Sequence, residues 1–473
     1  MTEGEATRRA PLAVRVVGPL GALRGLLDRP LASYYLLMAT AALLLAIGLM
    51  MVFSATNVSA YAETHNAFAV IAKQATWALI GLVGFWACQR LPVRTYRFAG
   101  KPLLVIAFVL VSLVDLLDLA NRARQAGRTQ EVAPLHLGPV YAVKNWLHIG
   151  GFQLQPSELA KLALLLWGAQ ILVRKGTAIG NLRELAVPLF PVAGIMFALV
   201  GYNDLGTMLT MVTLFVTLLW VAGVRMRVFA SMLGVMIGGV FLLMAAVAYR
   251  NTRIRVFLHP DQDLSGDGYQ PRQGLIAVAT GGWFGKGLGA SRAKWGALPE
   301  QHNDFIYAII AEELGVMGCL LVLALFAVLA YTGLRIARRV DDPFRRLAAA
   351  GGTVWLIGQA MINIGAVVHL LPVTGVPLPF ISDGGSALVV ALAAVGMLAS
   401  FARAEPDAAR AMHARPPAKL VRLLWAPLPP LPRAPARRTV PQRRPAADRA
   451  GTARGSSGGR AAGAGRGRGS GER

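Results

Sequence analysis

The residues best suited to chemistry lie where a polar loop runs into an apolar helix. This stretch extends from Leu298 to Gly315 and carries the carboxylates of Asp304, Glu312 and Glu313. A carboxylate at the mouth of a membrane helix is costly enough to be a functional hypothesis by default. A carboxylate there can take the proton of a hydroxyl nucleophile. Three further groups of residues indicate what such a base would act on.

The first group is Gln155-Pro156-Ser157-Glu158, followed by Lys161. Ser157 precedes an apolar run and is a candidate N-cap. Glu158 and Lys161 are three residues apart and therefore share one face of the predicted helix. This spacing favours either an ion pair that joins two helices near the outer surface or a contact with substrate.

The second group surrounds a glycine-rich loop that ends just before Asp304. Its glycines permit close backbone approach, and its basic residues place positive charge beside the Asp304 carboxylate. This pattern predicts a loop that covers a bulky substrate. The candidate contact residues are Gln270, Gln273, Arg292, Lys294 and Trp295.

The third group runs from Asn363 to Ser386 and is rich in proline and glycine. These residues interrupt the helical pattern between two apolar stretches. Irregular backbone at membrane depth must be buried in protein or line a wet cavity, so the segment is a candidate ligand wall. Its candidate contact residues are Pro372, Ser382, Gly384, Gly385 and Ser386.

The composition indicates the class of protein in which these residues are positioned. Hydrophobic residues make up 55% of the 473 and charged residues only 15%, with a mean hydropathy of +0.51. A soluble domain would not tolerate this surface, so we expect an all-α polytopic membrane protein. A span needs about 20 apolar residues. Ten windows qualify: 33–54, 70–89, 102–120, 158–174, 186–202, 204–223, 228–249, 304–331, 347–370 and 384–402.

The short loops predict the orientation. Arg and Lys concentrate after the second, fourth, sixth and eighth windows, and the positive-inside rule places these loops in the cytoplasm. Both termini are then cytoplasmic, and the long segments 121–157 and 250–303 lie outside. The expected domains are an N-terminal segment 1–32, a membrane domain 33–402 and a tail 403–473. Cys88 and Cys319 fall within windows, which excludes a disulfide in the outer loops.

The tail carries much of the formal charge of +24. From Arg403 onward there are 16 Lys or Arg against 4 Asp or Glu, amid Pro, Ala, Gly and Ser. Such a segment cannot bury a core and is predicted to be disordered. Its charge favours a tether to anionic lipid or an acidic cytoplasmic partner. Nucleic acid is not an expected partner.

In this order the three groups resemble the SEDS family of polytopic bacterial cell-wall polymerases, and its cell-division branch more than its elongation branch. The resemblance covers about residues 30–402. It implies a peptidoglycan glycosyltransferase that joins lipid II into β-1,4-linked glycan and releases undecaprenyl pyrophosphate outside the plasma membrane, at the division septum. It also implies a class B penicillin-binding protein as the transpeptidase partner, and other division membrane proteins.

The family patterns map onto numbered positions here. The Asp of the H-x-D-F-I pattern falls on Asp304, which the resemblance makes the catalytic carboxylate. Gln155 to Lys161 match the Q-P-S-E-x-x-K block, and Pro372 to Ser386 match the P-x-x-G and S-x-G-G-S blocks. The chain departs from its relatives at four positions, where the roles of neighbouring residues are open: Gly296, Thr374, Asn203 and Asp383.

The resemblance implies an inverting displacement, since the family's α-linked donor gives a β-linked product. Asp304 is the expected general base. Arg292, Lys294 and Lys161 are candidates to balance the pyrophosphate charge, with Mg²⁺ or Mn²⁺ as an alternative and no other cofactor expected. Two rival functions remain open on the sequence: a transporter that flips lipid II, to which broken helices are also suited, and a scaffold without activity.

Overall fold

The protein is almost entirely helical. The computed structural model describes residues 25, 27–126, 133–150, 152–176, 182–245, 256–257, 266, 268–295, 298, 301–416, 418 and 426–431. Within these residues the helices are α1 (Ala32–Thr64), α2 (Ala69–Arg90), α3 (Val93–Gln125), α4 (Pro156–Lys175), α5 (Leu182–Asn203), α6 (Leu205–Val221), α7 (Met226–Ala245), α8 (Tyr269–Gly281), α9 (Ile306–Arg339), α10 (Pro343–Val367), α11 (Gly385–Arg403) and α12 (Pro406–Ala414).

Ten of these helices coincide with the ten predicted windows. Among the described residues, eight helices are long and apolar enough to cross a membrane, and two shorter apolar stretches, 205–221 and 226–239, match the other windows. The chain is therefore a multi-pass membrane protein, and the predicted fold class is confirmed. The long window 304–331 belongs to α9, whose 34 residues exceed the roughly 20 needed to span a bilayer.

A small antiparallel sheet lies between α3 and α4, and the sequence reasoning did not predict it. Its strands are β1 (His136–Leu137), β2 (Val140–Val143), β3 (Trp146–Ile149) and β4 (Phe152–Leu154), paired in chain order. Ala142 and Leu147 point inward and pack on Val114 and Leu117 of α3. The sheet thus covers the end of α3 and leads the chain into α4.

The most buried helices form the centre of the molecule. In α4, α10 and α11, 72%, 72% and 78% of the most apolar window is buried, against 22% in α2. Small residues let backbones approach closely in such bundles. A Cβ added at Gly396 of α11 would lie 2.4 Å from the carbonyl oxygen of Phe85 in α2. Close packing of this kind makes α11 a rigid support for the segment that precedes it.

Residues expected in the cytoplasm meet at one end of the bundle. Arg97 and Asp342 form an ion pair of 2.7 Å, and the Arg335 guanidinium donates to the carbonyl oxygen of Leu27. Arg339 lies 3.8 Å from Glu405. These contacts join loops that the charge pattern had placed on the same side of the membrane.

The first part of the predicted tail is folded. Ala408 and Ala409 of α12 are buried, and the Arg403 guanidinium donates to the carbonyl oxygens of Ala426 at 3.2 Å and Pro427 at 2.9 Å. Helix α12 and residues 426–431 therefore belong with the membrane domain rather than with a disordered tail that begins at Arg403. The N-terminal residues 1–24 and the basic stretch 432–473 lie outside the described residues.

Candidate functional site

The segment between α10 and α11 fixes the backbone around Asp304. The Asn363 amide donates to the carbonyl oxygens of Asp304 and Val376, each at 2.8 Å. The Ser382 hydroxyl donates to the Asn303 carbonyl oxygen at 2.7 Å. The Asp383 N–H donates to the His302 carbonyl oxygen at 3.0 Å. The Leu298 to Gly315 stretch and the third group thus form one structure in which three consecutive carbonyls, 302 to 304, are held in place.

The Asp304 carboxylate faces the predicted ligand wall. Its side chain is half-buried at the start of α9, and its Oδ2 lies 3.5 Å from where a Cβ on Gly375 would be. Gly375 has φ of 72°, a backbone conformation that favours glycine. The wall therefore presents bare backbone to the carboxylate, which leaves room beside it for a substrate hydroxyl.

Asp383 and Lys73 add charge beside this wall. Burial raises the pKa of the Asp383 carboxyl, and His302 and Lys73 oppose that rise through their charge. The Lys73 ammonium also donates to the Gln153 side chain at 3.0 Å. Sequence reasoning missed Lys73 as a site residue, although a lysine inside the window 70–89 is the kind of intramembrane charge that marks function.

Ser157 is not the N-cap of α4, so that prediction was wrong. The cap position is Gln155, and Pro156 is the first helical residue. Proline suits the first position because the N–H it lacks has no partner within a helix, and the helix begins two residues earlier than predicted. Ser157 is 7% exposed, and its hydroxyl has no hydrogen-bond partner among the described residues.

Glu158 and Lys161 form a buried ion pair. The Lys161 ammonium lies 2.8 Å from Glu158 Oε1 and donates to Gln359 Oε1 of α10 at 2.7 Å. The two side chains are 0% and 2% exposed. Of the two interpretations of this spacing, the geometry favours the structural one: the ion pair lies within α4, and the Lys161 hydrogen bond to Gln359 joins α4 to α10.

Ser386 and Gly385 connect the first and third groups. The Gln155 N–H donates to the Ser386 hydroxyl oxygen at 3.0 Å, and the Gln155 amide donates to Asp204 at 3.2 Å. A Cβ on Gly385 would lie 2.9 Å from the Trp77 indole nitrogen, so only glycine lets α11 begin against α2. Gly384 is the N-cap of α11. Pro372 lies in the irregular segment and is half-buried.

Glu312 and Glu313 hold the glycine-rich loop rather than facing Asp304. Glu312 accepts from the Lys286 ammonium at 2.8 Å, from the Ser291 hydroxyl at 2.6 Å and from the Arg292 N–H at 3.1 Å. Glu313 accepts from the Ser54 hydroxyl of α1 at 2.6 Å. The two carboxylates therefore anchor the loop to the membrane bundle.

The predicted loop contacts differ in accessibility. Lys294 is 3% exposed and 3.9 Å from Glu313, whereas Trp295 is 71% exposed. The Arg292 side chain is exposed, and Gln270 and Gln273 lie on α8 with intermediate burial. Of the three basic candidates Arg292, Lys294 and Lys161, Arg292 alone is open to a ligand.

A break in α9 explains how the loop is attached. Gly315 has φ of 69° and ψ of −166°, which interrupts the helix. The Glu312 and Glu313 carbonyls then accept from the Lys286 and Gly287 N–H groups at 2.9 and 3.0 Å. Freed backbone groups at membrane depth need such partners, so the loop completes the broken helix.

Across the described ranges, no group of three or more His, Cys, Asp or Glu side chains could hold a metal ion. Gly296, one of the four departures, lies outside the described residues, while Thr374 is half-buried beside Gly375.

Comparison with known proteins identifies the family to which the chain belongs. The family of FtsW, RodA and SpoVE, described as cell cycle proteins, matches residues 34–406. A probable peptidoglycan glycosyltransferase FtsW from Mycobacterium tuberculosis is 42% identical over 407 residues, which cover 85% of this chain and 74% of the relative. Stage V sporulation protein E from Bacillus subtilis is 38% identical over 371 residues, or 78% of this chain and 96% of the relative.

Solved structures share the fold. A chain of a peptidoglycan synthase complex that coordinates polymerization and crosslinking has a TM-score of 0.59 at 24% identity, covering 78% of this chain and 96% of that chain. The rod shape determining protein RodA from Thermus thermophilus has a TM-score of 0.51 at 23% identity, with coverages of 78% and 96%. The chain described here belongs to the FtsW, RodA and SpoVE family of cell cycle proteins.

Proposed function

We propose that this protein polymerises lipid II into β-1,4-linked glycan strands at the outer face of the plasma membrane, with Asp304 as the general base. Close relatives are named as probable peptidoglycan glycosyltransferases. The observation that carries the assignment of the base is the convergence at Asp304. Two separate sequence motifs meet there through the hydrogen bonds of Asn363, Ser382 and Asp383.

The geometry suits proton removal from an acceptor hydroxyl. A half-buried carboxylate beside bare glycine backbone can approach a sugar hydroxyl closely. It takes the proton as the oxygen attacks the anomeric carbon of the donor, while the bond from that carbon to the pyrophosphate oxygen breaks. One such displacement inverts the configuration and requires no covalent enzyme intermediate. General-base help of this kind contributes about 10²–10⁴-fold to the rate.

Negative charge develops on the departing pyrophosphate, and preorganised cations stabilise such charge. Exposed Arg292 and exposed Lys73 are the basic side chains we assign to it. Lys161 and Lys294 instead neutralise buried carboxylates, so they position the helices and the loop. Mg²⁺ or Mn²⁺ bound to the pyrophosphate of the substrate is the alternative source of positive charge.

The family suggests the setting of the reaction. We assign both termini to the cytoplasm and the site to the outer face, on the charge pattern of the loops. The partner we assign is a class B penicillin-binding protein at the division septum, because a chain of similar fold occurs in a peptidoglycan synthase complex and the family is described as cell cycle proteins. The basic residues 432–473 would bind anionic lipid or an acidic division partner.

The test is polymerisation of fluorescent lipid II by the purified full chain, with and without its penicillin-binding partner. Glycan strands that a muramidase digests are the expected product. Movement of lipid II across proteoliposomes without any polymer would overturn the proposal in favour of a transporter. Neither polymer nor transport, in protein that retains its melting transition, would favour a scaffold.

A further inference from the structure

A second pocket opens beside the start of α4, away from the residues that hold Asp304. Its apolar wall includes Val111 and Val114 of α3 and Val200 of α5, and its polar side includes Asp115 and Ser157. Ser157 and Glu158 are neighbours in sequence but line different pockets. The proposed polymerase chemistry makes no use of this second pocket.

Two polar atoms in the pocket have unmet hydrogen-bonding capacity. Ser157 is 7% exposed, and its Oγ has no partner within the described part of the chain. One oxygen of Asp115 accepts from the Asn203 amide at 2.8 Å, while the buried Oδ2 has no partner there either. Buried polar atoms are almost always paired, so both atoms point to a ligand that carries hydrogen-bond donors.

The charge in the pocket is negative. Asp204 also lines it, and its oxygens accept from Thr207 and Gln155 rather than from a cation. The charge of Arg122 acts on Asp115, but its guanidinium is bonded to Asp118 at 2.7 Å and to Asn203 at 2.8 Å. Within the described ranges Asp115 therefore has no ion-pair partner, although an ionisable residue on a membrane helix normally has one.

The pocket is placed at the outer end of the bundle. Asp115 follows the first residue of α3, Val93, by about 33 Å at 1.5 Å per residue, and α3 begins at the end assigned to the cytoplasm. Asn145, in the turn between β2 and β3, also lines the pocket. A group attached to a substrate on the outer face could therefore enter it.

We propose that this pocket binds an alkylammonium group, such as the side chain of a diamino acid in a peptide. The ammonium would donate to Asp115 Oδ2 and Ser157 Oγ, and its methylene stem would lie along the valines, as lysine stems do on apolar surfaces. A divalent cation fits less well, since it takes six or more oxygen ligands and only one carboxylate oxygen here is without a partner. This inference rests on the proposed function in that it assigns the pocket to the peptide part of the lipid-linked substrate.

A binding experiment tests the pocket without catalysis. The melting temperature of the purified full chain is measured with increasing Nα-acetyl-lysine amide, with the same compound acetylated on its side-chain amine, and with MgCl₂. The free amine is expected to raise the melting temperature, and the acetylated one is not. Asp115→Asn and Ser157→Ala should each reduce this stabilisation, whereas Asp341→Asn, which removes an exposed charge from the cytoplasmic loop before α10, should retain it.

A kinetic experiment tests the assignment to substrate. Lipid II with a free side-chain amine and lipid II acetylated at that amine are compared by KM. The parent chain should prefer the free amine by about 10-fold to 100-fold, as expected for a charge-assisted hydrogen bond, and Asp115→Asn should lose that preference. If the parent chain has the same KM for the free and the acetylated lipid II, the assignment of the pocket to the substrate peptide is overturned.

The outcomes separate this inference from the proposed function. If the parent chain makes no polymer from either substrate, the proposed function fails, and the melting experiment still decides the pocket. Stabilisation by MgCl₂ alone that disappears in Asp115→Asn would replace the ammonium site with a metal site. Stabilisation of the parent chain by neither compound would overturn the pocket as a cation site.

Discussion

At the scale of residues, several buried charges hold the structure, and the carboxylate assigned to the chemistry lies in a different environment. Glu158, Lys161, Glu312, Glu313 and Lys294 are each 3% exposed or less and bonded within the protein. Asp304 is half-buried rather than buried; Asn363 holds its backbone carbonyl, and its side chain faces Gly375. A general base needs this combination of fixed position and open access.

Removing one partner of the Lys161 and Glu158 pair should destabilise the protein strongly. Lys161→Met leaves the Glu158 charge buried without its cation, and breaking a buried pair costs about 3–5 kcal/mol. The double variant Glu158→Gln/Lys161→Met removes both charges and should lose less stability than Lys161→Met. Melting temperatures of the three proteins in detergent provide the measurement. A double variant less stable than Lys161→Met would contradict the structural role assigned to the pair.

Asp383 should make stability depend on pH. Burial raises the pKa of its carboxyl, so the folded protein keeps this proton at pH values where the unfolded chain has lost it. Stability is then lost as pH rises above about 4, the usual pKa of an aspartate. The Asp383→Asn variant should therefore gain stability relative to the parent chain as pH rises above about 4. A difference in melting temperature between the two proteins that does not grow with pH would show that the carboxyl is not held protonated.

At the scale of elements, the broken helix α9 and the glycine-rich loop form one unit. A Cβ on Gly315 would lie 2.4 Å from the Gly285 nitrogen, and one on Gly285 would lie 2.1 Å from the Glu313 carbonyl oxygen. Both glycines have positive φ. Backbone thus packs on backbone, and side chains are excluded from the contact.

Gly315→Ala should therefore detach the loop and lower activity together with stability. The contact of 2.4 Å involves backbone that cannot move aside, and φ of 69° is unfavourable for alanine. The matched control is Gly84→Ala in α2, where nothing lies within 4 Å of the added Cβ. Alanine should stabilise that helix by up to about 1 kcal/mol. Melting temperature measures the stability of the two variants, and limited proteolysis measures how firmly the glycine-rich loop is attached. Equal stability and equal proteolysis of Gly315→Ala and Gly84→Ala would refute the close packing of the loop on α9.

Hydropathy predicted the helices well because a span is a long, local signal. The ten windows all match apolar helices, whereas the hydrogen bonds that join residues near Asp304 to residues 363–386 are seen only in the structure. The four short strands were missed because two to four residues give little pattern. The break at Gly315 and the role of Glu312 depend on the distant loop 281–293, which local periodicity cannot reveal.

At the scale of the whole molecule, two ends of the bundle carry different chemistry. Arg97, Asp342, Arg339 and Glu405 meet at one end, whereas Lys73, Gln153 and the segment around Asp383 meet near Asp304. This separation agrees with the orientation predicted from the loops, in which the second end faces outward. Substrate and partner would then be engaged on the outer side.

Cysteine labelling in intact cells tests this orientation. In a parent chain with Cys88 and Cys319 replaced, a cysteine at Ala133 should react with an impermeant maleimide, and a cysteine at Asp341 should react only after the membrane is permeabilised. Both positions are exposed, so burial does not limit the reaction. Labelling of both from the same side would remove the ten-span arrangement and the outward site with it.

If Asp304 is the base for glycan polymerisation, Asp304→Asn should polymerise fluorescent lipid II far more slowly than the parent chain. Asparagine keeps the size and hydrogen-bonding capacity of aspartate but does not accept a proton at neutral pH, so the expected loss of rate is about 10²–10⁴-fold. Asp407→Asn, on the exposed surface of α12, should polymerise like the parent chain. A folded Asp304→Asn protein, verified by its melting transition, that polymerises near the parental rate would rule out Asp304 as the base.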